Sequence, residues 1–417
     1  MPFPMLTTAL LALGGLLSAA EAPPDFLLMA LEPPPATREL YAAYAEAGLN
    51  TITAAAGPEF DAAAALAAEA GLSVLVVNPA AMEGGTAACA ALAEDCPAIA
   101  GWLAGTNVTP ADADAAAAQL EELTRLDTRR ITLAFISTSN GERAATAERL
   151  LCTGLNAFGL RAFTLRRDGS EDRGQYFDHL ARARELAGKH RARWLGFVQV
   201  TETGGFRFAS ESDLRFQVYS QLAFGARGLA YHRYWLSIPP EAWQADPAAG
   251  MRRSMVNPIT GERHYTWEKV ADVNREVRAL WPVLRALQVN DVFFAGEVPP
   301  GMRPLPFGAH PIRAITAQSA LVSFLRDDDH RDWAFVVNTV HGMQRSAQGS
   351  ERTLRIQLDP AIQSIMEVER TTGTLKPVSF NRNEMYLTLP GGTGALLLLT
   401  PRETDSGAVE ARPENAQ

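Results

Sequence analysis

Short apolar runs recur along the first two thirds of the chain, at Phe26 to Leu31, Asn50 to Ala54, Ser73 to Val77, Ala98 to Ala104, Ile131 to Ile136, Arg161 to Leu165, Trp194 to Val200 and Gly228 to Tyr234. Such near-continuous apolarity suits strands covered on both faces. Between the runs the apolar positions take helical spacing, as at Leu40 and Tyr44, Leu120 and Leu123, or Leu214 and Val218, so strand and helix alternate. Thr109 and Pro110 stand where an N-cap and first helical residue belong, with Asp112 set for a capping-box-like contact. Gly48 and Gly71 end helices, each inside a repeated Ala-Glu-Ala-Gly-Leu that leads into the next strand. Eight such units favour a closed (β/α)8 barrel, a TIM barrel, over an open doubly wound sheet. The first strand-to-helix junction, Leu31-Glu32-Pro33-Pro34-Pro35, also lacks the glycines that would bring backbone donors to a dinucleotide.

The rhythm changes after a helix expected from about Glu268 to Leu287. Short strands separated by turn residues follow at Ala320 to Leu325, Trp333 to Asn338, Thr353 to Leu358, Ile365 to Glu369, Met385 to Leu389 and Ala395 to Leu399. They predict a small antiparallel β-sandwich. The run Arg326-Asp327-Asp328-Asp329-His330-Arg331 reads as a solvated hairpin tip without the ordered ligand spacing of a calcium loop. The expected organisation is a signal peptide at 1–20, a barrel at 24–288, a β domain at 289–402 and a polar, disordered tail at 403–417.

The 417 residues, 47% of them apolar, are enough for one large core and one smaller one. A formal charge of -9 without a dense Lys/Arg tract argues against nucleic acid or anionic lipid as a partner. The stretch Met5 to Leu17 followed by Ser18, Ala19 and Ala20 is laid out as a signal peptide cleaved after Ala20. A secreted or periplasmic protein with no later membrane span is therefore expected. The three cysteines lack zinc spacing; either Cys89 pairs with Cys96 and leaves Cys152 free, or all three are buried thiols. Seven histidines in no paired arrangement give no metal site, and no cofactor is expected.

In such a barrel chemistry belongs at the carboxyl ends of the strands, which reduces 47 acidic residues to a few. The strand-end candidates are Glu32, Glu59, Asn78, Thr106 and Asn107, Ser137, Asp168, Glu202, and Tyr231 to Trp235. Trp102, Tyr231, His232, Tyr234 and Trp235 offer aromatic surface of the kind that stacks on sugar rings. The same residues also suit plain packing, Trp102 above all. Arg166 and Arg167 would hold Asp168 ionised.

Gly101-Trp102-Leu103, Gln199, the series Arg215, Tyr219, Ala223, Gly225, Ala226 and Gly228, and Tyr231 with Tyr234 resemble the clan of barrel glycoside hydrolases that includes the family 42-type β-galactosidases. The resemblance continues through Val273-Asn274-Arg275-Glu276-Val277 to Asn338, Thr372-Gly373 and Pro390-Gly391-Gly392. It implies a saccharide ligand and a nucleophile at Glu202. Relatives of this type carry Asp-Glu-Pro where this chain has Thr106, Asn107 and Val108, so both carboxylates are missing there. Glycoside hydrolysis needs one protonated carboxylic acid and one carboxylate, and Asn107 can bind a hydroxyl but delivers no proton. The expected function is saccharide binding with weak or lost hydrolysis, with Glu202 and Glu32 as catalytic candidates and Asn107, Trp102, Gln199, Tyr231, His232, Tyr234 and Trp235 as binding candidates. The alternatives are an active glycosidase that pairs Glu202 with Glu32 or another loop acid, and a non-catalytic interaction module.

Overall fold

The computed structural model describes residues 24–79, 85–137, 140–202, 205–236, 253–258 and 260–402. Eight parallel strands close into a barrel in sequence order: β1 (Leu27–Ala30), β2 (Thr51–Ala55), β3 (Ser73–Val77), β4 (Ile99–Val108), β5 (Ile131–Ile136), β6 (Ala157–Leu160), β7 (Arg193–Gln199) and β8 (Gly228–His232). The helices between them are α1 (Arg38–Glu46), α2 (Phe60–Glu69), α3 (Gly85–Asp95), α4 (Ala113–Leu126), α5 (Asn140–Cys152), α6 (Arg173–His190) and α7 (Glu211–Ala223), and α8 (Tyr265–Leu284) follows β8. The alternation of side chains along each strand splits the core in two. Leu27, Met29, Leu75, Leu103, Leu133, Phe135, Leu195 and Phe197 fill the barrel, while Leu28, Val74, Trp102, Phe158 and Tyr231 meet the helices.

The second part has nine strands: β9 (Gln288–Gly296), β10 (Ile312–Thr316), β11 (Ser319–Arg326), β12 (Asp332–Asn338), β13 (Arg352–Leu358), β14 (Ile362–Val368), β15 (Leu375–Pro377), β16 (Glu384–Leu389) and β17 (Gly394–Pro401). They form a six-stranded sheet, β15-β14-β17-β12-β11-β9, and a three-stranded sheet, β10-β13-β16. The two share a core that includes Ile312, Phe324, Val336, Leu354, Ile356, Leu387 and Leu397. At the β11–β12 turn Asp327 accepts from the Arg331 side chain at 2.7 Å and from Trp333 Nε1 at 2.9 Å.

Several elements differ from expectation, among them β10 and β15, which no expected run covers. The sixth strand is Ala157–Leu160 rather than Arg161 to Leu165: Gly159 there leaves room for the Phe135 ring, and Phe163, beyond the strand, packs on Phe197 and Phe206 instead. The fourth strand runs on to Val108 and carries Thr106 and Asn107 on its exposed end. The first strand of the β domain, β9, escapes notice because Asn290 and Asp291 interrupt its apolar pattern.

The β domain docks on α7, whose residues are buried from Ser212 to Ala223. A helix covered all round needs partners for its polar groups. Gln217 bonds the backbone of Gln199 on both sides, at 2.8 and 3.1 Å. Arg215 forms two 2.8 Å hydrogen bonds to Glu276, which also accepts from Tyr219. From the β domain, Ser323 donates to the Ala223 carbonyl at 2.6 Å. Gly392, at φ +72°, lies so close to α7 that a Cβ would strike the backbone at Ser212 and Phe216.

The same junction holds a buried ring of charge. Asp213 caps α7 through a capping box with Ser210 and, with Glu171, faces Arg207 and His341. His341 Nδ1 donates to Asp213 at 2.8 Å and Nε2 to Glu171 at 3.1 Å, so the imidazole carries both protons. Burial alone would lower its pKa, but these two carboxylates raise it above the usual value. The ring also stacks on Phe216 at 3.8 Å. Glu171, Asp213 and His341 have metal-ligand spacing, but the Arg207 guanidinium already supplies the second positive charge.

Candidate functional site

The strand-end mouth is assembled from groups at the ends of β1, β4, β6, β7 and β8. Past β1, Leu31 accepts from the Tyr234 amide and Glu32 from the Trp235 amide, each at 3.0 Å, which ties Glu32 to the segment after β8. Glu32 itself sits at φ +55°, a left-handed conformation that costs a non-glycine residue roughly 1 kcal/mol. Past β8, Arg233 is fixed by Thr201, whose hydroxyl accepts the Arg233 amide at 2.7 Å and donates to the His232 carbonyl at 2.9 Å. Past β6, the Arg161 amide donates to the Ile136 carbonyl at 2.9 Å. Asn107 stands at the end of β4.

These positions converge on His232. Nη2 of Arg161 and Nη2 of Arg233 lie 3.1 and 3.2 Å from His232 Nε2, so that nitrogen is the acceptor and the imidazole is neutral. Burial and the two guanidinium groups push its pKa down to about 2. Phe163 meets the ring edge-on at 5.0 Å. Arg161 also donates to the Thr106 carbonyl at 3.0 Å and to Asn107 Oδ1 at 2.8 Å. Burial and the nearby Arg233 charge push its pKa down to about 10. Arg233 makes an ion pair with Glu32. For Glu32 burial outweighs that partner and holds the carboxyl above its usual range.

Glu202, beyond β7, is half-buried between Arg167 at 3.3 Å and Arg253 at 4.0 Å. Its amide donates to the Arg253 carbonyl at 3.3 Å.

The structure thus gathers Glu32, Asn107 and His232 into one network, and it corrects the placement of several others. Tyr231 does not share a cavity with Glu202 and Asn107: its hydroxyl donates to Asn274 Oδ1 of α8 at 2.6 Å, in the outer layer. Trp102 is fully buried in that same layer, and Tyr234 packs on Tyr44 there with its hydroxyl accepting from Trp267 Nε1 at 3.3 Å. For Trp102 and Tyr231 the parity of the strand decides this, since neighbours in sequence face opposite sides. Gln199 lies under the mouth with its amide engaged by the backbone of Thr164, Leu165 and Arg207, which leaves it no group for a ligand. Trp235 is half-buried against the outer core. Asp168 is exposed and closes its own turn through Ser170, while Glu59 and Asn78 are exposed and Ser137 is half-buried. Cys96 and Cys152 are free thiols, Cys152 exposed rather than buried, and the Cys89 side chain and the leader at 1–20 lie outside the described residues.

Arg161 and Arg233 are the residues that sequence reasoning missed. Arg161 opens the run expected as the sixth strand, and Arg233 lies within the candidate range Tyr231 to Trp235 without being singled out there. The signal is the charge itself, because an arginine within or bounding an apolar run marks the strand's end.

No helix among the described residues is long and apolar enough to cross a membrane. No protein-family model and no curated protein sequence matches the chain. Solved structures do. A glycoside hydrolase is similar with a TM-score of 0.57 at 13% identity, over 92% of this chain and 94% of its own. A glycoside hydrolase family 5 protein from Bacteroides vulgatus gives 0.54 at 13% identity, over 91% and 89%. At such identities the likeness establishes the fold: the chain has the (β/α)8 barrel with a following antiparallel β domain that these proteins share.

Proposed function

We propose that this is a secreted barrel of glycoside hydrolase ancestry that binds an oligo- or polysaccharide at its strand ends, with hydrolysis weak or lost. The observation that carries the reading is the 2.8 Å hydrogen bond from Arg161 to Asn107 Oδ1. Where a hydrolytic barrel needs a protonated carboxylic acid, this chain has an amide already used as an acceptor by a cation. The structural neighbours are glycoside hydrolases, which supports a saccharide as ligand. The apolar leader supports secretion. Arg215, Tyr219, Glu276 and Asn338 support the finer reading of a family 42-type ancestor.

A second reading is favoured by one group. Glu32, with its raised pKa and left-handed backbone, has the properties of a general acid, and Glu202 would then be its partner. A glycan-binding panel with hydrolysis products measured in parallel separates the two. Binding without turnover of unactivated glycosides is expected. Rapid cleavage abolished by both Glu32→Gln and Glu202→Gln establishes the second reading instead, and a protein that binds no glycan overturns both in favour of an interaction module.

Restoring the acid sharpens the test. Asn107→Glu alone sets the new carboxylate against Arg161, which keeps it ionised and inert as a donor. Asn107→Glu combined with Arg161→Leu removes that partner, and the expected gain on a glycoside with a poor leaving group is on the order of 10²-fold.

A further inference from the structure

We propose that the saccharide is acidic, and that its oxyanion, a uronate carboxylate or a sulfate ester, is received at Arg161 and Arg233. This rests on the saccharide-binding reading above and names the ligand class within it.

The argument is one of charge matching. Arg161 is half-buried, and its three polar neighbours, the Thr106 carbonyl, Asn107 Oδ1 and His232 Nε2, are all neutral. Arg233 shares the same imidazole nitrogen and is neutralised by Glu32. Two guanidinium groups therefore converge on one nitrogen with a single carboxylate between them. The one carboxylate that acts on Arg161 is Glu32, already paired with Arg233, and a half-buried cation whose hydrogen-bond acceptors are all neutral gains from an added counter-charge. The faces of Phe163 and Phe197, 6.0 and 5.6 Å from the Arg161 guanidinium, offset part of this. His232 adds nothing of opposite sign, and its buried Nδ1 has no partner.

Glu202, beyond β7, also has arginine neighbours, Arg167 and the exposed Arg253. Arg161 and Arg233 thus set two guanidinium groups against the one carboxylate of Glu32, in a chain whose formal charge is -9. A cationic mouth on an anionic surface concentrates and orients anions. Guanidinium groups match the planar oxygens of carboxylates and the oxygens of sulfates through paired hydrogen bonds. A neutral sugar would leave Arg161 as it is.

The test is titration calorimetry on the full chain with two matched pairs: tetragalacturonate against its methyl ester, and a sulfated galactan tetrasaccharide against its desulfated counterpart. In at least one pair the charged member is expected to bind ten-fold or more tightly than the neutral one, and the pair that responds tells carboxylate from sulfate. Arg161→Gln should remove most of that ratio, whereas Arg161→Lys, which keeps the charge but loses the fork, should retain part of it. The wild-type ratio decides the matter even where Arg161→Gln does not fold. Equal binding of charged and neutral members overturns the acidic ligand and leaves the saccharide reading intact. Failure of every glycan, neutral or acidic, to bind on the broader panel removes the saccharide reading itself.

Discussion

Among the described residues, the charge cluster at the strand-end mouth and the one under the β domain are built on opposite rules. At the junction, Arg207 and His341 meet Glu171 and Asp213, so that two cations face two anions and each imidazole nitrogen has its own carboxylate. At the mouth, Arg161 and Arg233 meet one carboxylate and a neutral imidazole. A matched cluster has no further partner to seek and serves to fix two elements against each other. An unmatched cluster stores unsatisfied binding capacity, and such strain tends to gather where a ligand completes the set. Similar residue types in similar burial thus divide into structure and function by their charge balance.

The comparison breaks first at Asp213. Asp213→Asn removes one anion from the matched cluster and leaves two buried cations with Glu171 alone, so a loss of about 3–5 kcal/mol is expected in urea unfolding. A loss below about 1 kcal/mol would mean that the junction is not held by this ring. The second effect is on pH. The folded-state pKa of His341 is raised, so its contribution is complete below the unfolded histidine value of about 6.5 and is lost as pH rises through the higher folded value. Melting temperature should therefore fall above neutral pH in the native chain and fall less in His341→Gln; parallel curves would deny His341 this role. The smallest effect is expected at the mouth. Arg161→Gln relieves like-charge crowding while losing bonds to exposed acceptors, and stability should change by no more than about 1 kcal/mol in either direction. A loss as large as that of Asp213→Asn would make the mouth a second structural cluster and end the contrast.

Much of the architecture is legible in the sequence because burial imposes a period on it. Seven of the eight barrel strands overlap the apolar runs, and six later runs coincide with β11, β12, β13, β14, β16 and β17. The site was harder to read. Glu32, Asn107 and Glu202 were reachable by counting to the strand ends, but the aromatic candidates were misplaced because inward and outward positions alternate and the register was unknown. The misplaced sixth strand hid Arg161. The residues that carried the resemblance to glycoside hydrolases turn out to be mainly constructional: Arg215, Tyr219 and Glu276 bind one another, Asn338 holds the Leu389 carbonyl at 2.9 Å, and Gly392 lets the β domain approach α7. Packing constrains a sequence at many positions, whereas a binding preference here depends on a few side chains brought together from β1, β4, β6 and β8.

The enclosure of α7 also sets an order of events during synthesis. The helix and the strand that covers it are far apart in the chain, Ser323 lying 100 residues beyond the Ala223 carbonyl it bonds. At translation rates of about 5–20 residues per second, α7 emerges roughly 5–20 s before that cover exists, with Phe216 and Tyr219, which pack on His341 and Phe335 in the finished fold, still uncovered. The face of α7 that meets the β domain therefore stays uncovered until that domain has been made. Until then the chain is a customer for chaperones, and a product ending near residue 288 would be expected to aggregate rather than persist as a free barrel.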